Sequence, residues 1–134
     1  MAISYRTSKV FVSSQLEDLF LSVGWSSGQY PDKLVVAMQN SDAVISAWDN
    51  DRLVGLINCL SDGILTAYFH YLLIHPDFQD RGIGSQLVKS MLEKYADFAR
   101  KVLIAYDEEV DFYQRLGFVA GTGKTPLFVT HLTT

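Results

Sequence analysis

The chain has 134 residues, 49% hydrophobic and 13% aromatic, which suits a single domain spanning 1–134 and excludes a disordered tail. Lys+Arg 11 against Asp+Glu 15 gives a formal charge of −4, which argues against a general binder of duplex nucleic acid, whose affinity rests on neutralising phosphates. Cys59 is the only cysteine, so an intrachain disulfide framework and a cysteine-rich zinc site are both excluded.

Residues 3–6 alternate apolar and polar side chains and predict a first strand. Ser14 followed by Glu17 reads as a capping box, and Leu16, Leu19, Phe20 and Val23 recur at helical spacing until Gly24. A loop is expected over 25–30, with Pro31 opening a second helix that carries Leu34, Val35 and Met38. Residues 42–49 and 52–60 predict two strands joined by the turn Asp49-Asn50-Asp51. After Gly63, the β-prone run 64–74 predicts a central strand. Pro76 ends it, because proline has no amide for a ladder.

From Ile83 the period becomes helical, with Ile83, Leu87, Met91, Tyr95 and Phe98 in one stripe. Residues 101–106 are expected as another buried strand. Asp107, Glu108 and Glu109 suit the positive end of a following helix, whose Phe112 and Leu116 face the core and whose C-cap is Gly117. Residues 118–120 and 127–132 predict a closing pair of strands. The order β-α-α-β-β-β-α-β-α-β-β describes a single α/β domain with a mixed sheet. No basic segment followed by an apolar stretch marks the start, and the uncharged run 63–76 is too short to span a bilayer as a helix. A cytoplasmic protein without a membrane partner is expected.

The richest stretch is Leu72-Leu73-Ile74-His75-Pro76-Asp77-Phe78-Gln79-Asp80-Arg81-Gly82-Ile83-Gly84-Ser85. A strand ends, a short loop turns, and a helix opens on glycine. The first amides of a helix have no intrahelical acceptor and the dipole adds partial positive charge, which together make an anion site. Gly82 and Gly84 leave the backbone open to a phosphate, and Arg81 adds a cation suited to phosphate oxygens. Glycine also serves a plain strand-to-helix turn, and the glycines alone do not separate the two. Two nucleotide patterns fail. A dinucleotide fingerprint needs Gly or Ala where Leu87 stands. Gly121-Thr122-Gly123-Lys124-Thr125 would need its first P-loop glycine at Phe118, and Pro126 rather than a helix follows.

Gln79-x-x-Gly82-x-Gly84 after Ile74-x-Pro76 resembles the acetyl-CoA motif of the GCN5-related N-acetyltransferase (GNAT) family. Phe112-Tyr113-x-x-Leu116-Gly117-Phe118 resembles that family's second hallmark, and with the order of elements the likeness covers nearly the whole chain. The resemblance implies the acyl-CoA N-acyltransferase fold, acetyl-CoA as acetyl donor, and no metal. It implies that the backbone of Leu72, Leu73 and Ile74 pairs with pantetheine as if it were another strand, where the central strand splays from 101–106. It further implies Gln79 as a cofactor-binding residue, a diphosphate cradle from the amides of Asp80, Arg81, Gly82, Ile83, Gly84 and Ser85, and Tyr113 beside the thioester sulfur. The chain departs from the family at Tyr106, where many members carry an asparagine that contacts the cofactor.

Tyrosine has an ordinary pKa of about 10 and a thiol about 8.5, so complete proton transfer from Tyr113 to a thiolate runs uphill by about 2 kcal/mol. Hydrogen bonding therefore competes with protonation as its role. An acceptor amine of lysine type is about 99.9% protonated at pH 7 and needs a base or a water path. His70 has the pKa for that task and by strand period shares a face with Tyr68 and Leu72; Asp107 and Glu108 are rivals. His75 has the opposite parity, so the two histidines are no metal pair. Cys59 has no basic neighbour in sequence to activate it. In the family the first two helices and their loop wall the acceptor site, which points to Trp25, Ser26, Gln29 and Tyr30.

The expectation is an N-acetyltransferase in which a small-molecule primary amine attacks acetyl-CoA directly in a ternary complex. Acetylation of a protein amine is the second reading. A non-catalytic acyl-CoA-binding sensor is the alternative from another class, and a homodimer is one option for assembly.

Overall fold

Hairpin signals in the middle of the chain build most of a sheet, and one crossover helix adds its last strand. The computed structural model describes residues 2–134. Its elements are β1 (Ser4–Arg6), α1 (Ser13–Ser22), α2 (Pro31–Asn40), β2 (Ala43–Asp49), β3 (Arg52–Ser61), β4 (Thr66–Ile74), α3 (Ile83–Lys94), β5 (Arg100–Leu103) and α4 (Val110–Arg115). The five strands lie in the order β1-β2-β3-β4-β5, antiparallel up to β4 and parallel between β4 and β5. Asn50 takes φ +54° in the β2–β3 turn, a conformation asparagine tolerates.

The sheet separates two apolar layers. Ile83, Leu87, Val88 and Met91 of α3 bury against Ala43, Ile45, Val54, Ile57 and Phe69. Leu16, Leu19 and Phe20 of α1, with Leu34 and Met38 of α2, bury against Val44, Trp48, Leu56, Tyr71 and Leu73 on the other face. Each fully buried large side chain contributes about 1.5–3 kcal/mol relative to exposure. Gly55 lets β4 come close, because a Cβ there would lie 2.8 Å from Ile74 Cδ1.

One irregularity positions the site. Between Ile57↔Leu72 and Cys59↔Phe69 the β3–β4 register shifts, so that His70 and Tyr71 oppose Asn58 alone. The Asn58 side chain fills the broken ladder. Its Oδ1 accepts from the Tyr71 amide at 2.8 Å, and its Nδ2 donates to Ser41 Oγ at 3.1 Å. The bulge also reverses the pleat: Ala67 and Phe69 belong to the α3 layer, whereas Tyr71 and Leu73 belong to the α1/α2 layer. His70 and Leu72 therefore do not share a face, contrary to the period-two expectation. Asn58→Ala leaves a buried amide without a partner and is expected to lower stability by about 1–3 kcal/mol. Urea unfolding checks this, and an unchanged midpoint would show that the bulge has another support.

The α/β class and the mixed sheet agree with the sequence reading, and four local expectations need correction. The cap of α1 is not Ser14 with Glu17: Gln15 Oε1 accepts the Val12 amide at 3.0 Å, so the helix is capped two residues earlier. Ile64 and Leu65 are exposed in the turn before β4, where Asp62 accepts amides from Ile64, Leu65 and Thr66. Phe98 lies past the end of α3, though it still packs against the α3 layer. Strand 101–106 is the short edge strand β5, with Arg100 and Val102 exposed rather than buried.

The closing pair of strands at 118–120 and 127–132 is absent: among the described residues no strand follows Leu103. Leu127 and Val129 stand 90% and 106% exposed. Their β-propensity has no ladder or apolar layer to act through, and propensity alone does not make a strand.

Candidate active site

The β4–β5 ladder stops at Phe69↔Leu103, while β4 continues to Ile74. On its other side this last stretch of β4 stays paired with β3, through Ile57↔Leu72, Leu56↔Leu73 and Gly55↔Ile74. Among the described residues the β5-facing edge of β4 thus has no strand partner beyond Phe69, and a cleft of about 940 Å³ opens between the diverging strands. An extended chain with amides of its own can pair with that edge.

The cleft runs on to the start of α3. Pro76–Phe78 forms a single tight turn, fixed by the buried Phe78 and by His75 Nδ1, which accepts the Asp77 amide at 3.1 Å. Gln79 Nε2 donates to the Ile74 carbonyl at 3.1 Å, so this side chain holds the strand end against the turn. Asp80 and Gly82 take φ +62° and +78°, which swings the chain into α3 with Gly82 as N-cap. Gln86 is the first residue to donate back, to the Gly82 carbonyl at 3.1 Å. The amides of Ile83, Gly84 and Ser85 consequently have no acceptor inside the helix. A Cβ on Gly84 would sit 3.4 Å from Phe112 Cζ, so this glycine also lets α4 approach α3.

Opposite the turn, α4 brings Tyr113 to the cleft between Phe112 and Phe118, with ring centroids at 5.0 and 5.8 Å. Burial, with a smaller contribution from the Glu109 carboxylate, pushes the Tyr113 hydroxyl up to about 12. His70 opens onto the same cleft. Its ring stacks on Tyr71 at 4.0 Å and on Tyr68 at 5.4 Å, and desolvation draws its pKa below the ordinary imidazole value.

Of the residues singled out from sequence, the cleft gathers Tyr113, His70, Leu72, Leu73, Ile74, Gln79, Asp80, Gly82, Ile83, Gly84, Ser85 and Trp25. Arg81, Gln29 and Tyr30 do not line it. The Arg81 guanidinium lies over the Phe78 ring at 5.2 Å. Ser26–Gln29 is one turn of 3-10 helix, anchored to β4 where Ser27 Oγ meets Tyr71 OH at 2.9 Å. That anchor turns Trp25 toward the cleft and leaves Gln29 and Tyr30 exposed. Among the rival bases, Glu108 lines the cleft and Asp107 does not. Cys59 is buried, outside the cleft lining, and burial holds its thiol above the ordinary value, so it is no candidate nucleophile.

Glu109, Tyr106, Thr133 and Thr134 also line the cleft and were not picked out from sequence as site residues. Glu109 stands in the acidic start before α4, but a carboxylate there is already explained by the helix dipole. Among the described residues the lining holds three carboxylates, Asp80, Glu108 and Glu109, and neither lysine nor arginine. No group of described residues has the makings of a metal site, and no described helix is long and apolar enough to cross a membrane.

Residues 9–126 match the family model of the acetyltransferase (GNAT) domain. The chain is similar to the uncharacterized N-acetyltransferase ycf52 of Porphyra purpurea, 35% identical over 113 residues, and to that of Pyropia yezoensis, 33% identical over 111. In each comparison 78% of this chain aligns, and it spans 63% of the relative's length. A GNAT-family acetyltransferase from Streptococcus pneumoniae superposes with a TM-score of 0.83 at 24% identity, covering 97% of this chain and 99% of that one, a likeness of fold.

Proposed function

Because this chain belongs to the GNAT acetyltransferase family, we propose that it transfers the acetyl group of acetyl-CoA to a primary amine, most simply that of a small molecule. The observation that carries the reading is the free edge of β4 beyond Phe69, which leads directly to the α3 amides that lack an intrahelical acceptor. Leu72, Leu73 and Ile74 offer that edge to pantetheine. The turn from Asp80 to Ser85 offers amides to the diphosphate, with Arg81 nearby as a cation. Acetyl-CoA supplies an activated acyl group, and the remaining work falls to the protein's own side chains.

His70 is the proposed base for the ammonium of the acceptor. Its lowered pKa keeps the imidazole neutral, and therefore able to accept a proton, to a lower pH than an ordinary histidine. Glu108 and Glu109 favour an amine that arrives as a cation, and Trp25 offers it a ring face. Holding amine and thioester in one cleft converts a bimolecular reaction into a positioned one. The reading keeps the chain in the cytoplasm, where a lone buried thiol such as Cys59 stays reduced. The edge position of β5 and the exposed Leu127, Phe128 and Val129 favour pairing between two copies as a homodimer.

Release of coenzyme A in the presence of amino acids, polyamines, aminoglycosides and peptides tests the reading. Turnover with at least one small amine supports it. Turnover with peptides alone would move the acceptor to proteins, and tight acetyl-CoA binding without turnover would leave a sensor. In the active protein, kcat is expected to rise with pH through a limb below about 6.5, as His70 loses its proton. His70→Ala should remove that limb and lower kcat. A limb that persists in the variant assigns the base elsewhere, with Glu108 next in line.

A further inference from the structure

We propose that residues 131–134 form a strap that sets the size of the amine admitted to the cleft, and that Ser26 and Tyr106 hold it in place. The inference rests on the acetyltransferase reading above and adds to it a limit on the acceptor. On one side of the cleft Ser26 Oγ is a hub: it donates to the backbone oxygen of Thr134 at 3.1 Å and accepts the amides of Thr133 at 2.8 Å and Thr134 at 3.4 Å. The Ser27 amide donates to the same Thr134 oxygen at 2.7 Å. On the other side the Tyr106 hydroxyl donates to the Thr133 carbonyl at 3.1 Å and also meets the Thr134 hydroxyl. Tyr30 OH faces His131 Nε2 at 3.4 Å, with the rings edge to face.

These bonds join the α1–α2 connection to the segment between β5 and α4. Thr133 and Thr134 thereby become part of the lining shared by Trp25, His70 and Tyr113. The preceding residues 118–130 have no helix or strand to hold them. The strap is therefore fixed by its end contacts, several of them open to solvent, and hydrogen bonds in that setting are individually weak. Such a closure can open locally without unfolding the domain. A compact amine reaches His70 and Tyr113 beside the closed strap, whereas a bulky polycation must displace it.

The test compares the intact chain with Ser26→Ala/Tyr106→Phe, which removes the side-chain anchors on both sides and leaves the Ser27 amide and Tyr30, and with Thr133→Pro, which removes only the amide donated to Ser26. Coenzyme A release is followed with a compact alkyl monoamine and with an aminoglycoside, and hydrogen exchange is read at the Ser27 amide. The expected result is faster exchange at Ser27 and at least about a tenfold rise in the ratio of kcat/KM for aminoglycoside over monoamine, a change of about 1.4 kcal/mol. Thr133→Pro should move both readouts in the same direction, which keeps the test open if the double variant fails to fold. Faster Ser27 exchange with an unchanged ratio would overturn size selection, and unchanged exchange would overturn the anchoring. Equal use of both amines by the intact chain would also overturn the proposal. If no amine releases coenzyme A from the intact chain, it is the acetyltransferase reading that fails, and the size limit falls with it.

Discussion

Gly84→Glu is expected to weaken acetyl-CoA binding at least about a hundredfold, a loss of about 2.7 kcal/mol or more, as read by calorimetric titration of the purified chain. Gly84 sits in the first turn of α3, where amides without intrahelical acceptors line the end of the cleft. Glutamate there adds negative charge and bulk at the position proposed for a diphosphate. Gly84→Ala separates that effect from packing. Its Cβ would rest 3.4 Å from Phe112 Cζ, a contact that a slight shift of α4 relieves, so alanine should cost less than about tenfold. Near-ultraviolet circular dichroism shows whether either variant still packs its aromatic residues. A folded Gly84→Glu protein with undiminished affinity would remove the diphosphate from the start of α3.

Most of what positions the site is written in short-range patterns. The apolar run into Ile74, Pro76, and the glycines ahead of the Leu87–Met91 stripe mark the strand, turn and helix in the right order, because each feature acts on its own neighbours. The bulge in β4 is different. It depends on Asn58 reaching across to the Tyr71 amide, a contact between strands that no period along β4 records, and it sends His70 and Leu72 to opposite faces. Residues 127–132 mislead for the converse reason. Leu127, Phe128 and Val129 have the composition of a strand, but the sheet ends at β5 and gives them no ladder. Thr133 and Thr134 carry no signal of their own. Their place in the cleft comes from Ser26 and Tyr106, which stand 80 residues apart in sequence and meet one segment only in the fold.

Tyr113→Phe should lower kcat by about 10- to 150-fold while leaving acetyl-CoA affinity nearly unchanged. The magnitude follows from what the hydroxyl does. With its pKa pushed up to about 12, giving a complete proton to a thiolate of ordinary pKa about 8.5 runs uphill by about 5 kcal/mol, against about 2 for an unperturbed tyrosine. Burial therefore weakens Tyr113 as an acid and keeps it protonated, as a hydrogen-bond donor, across the whole assay range. A hydrogen bond to a charged group contributes about 1.5–3 kcal/mol, which corresponds to the predicted loss. The same reasoning fixes the pH dependence. Because the shift is upward and favours the neutral form, no fall in kcat near pH 10 should trace to Tyr113, and the phenylalanine variant should keep the alkaline profile of the parent. A deficit of several thousandfold, or an alkaline limb that vanishes with the hydroxyl, would instead mean that the proton is transferred outright. Equal turnover in both proteins would take Tyr113 out of the mechanism and leave it as packing between Phe112 and Phe118.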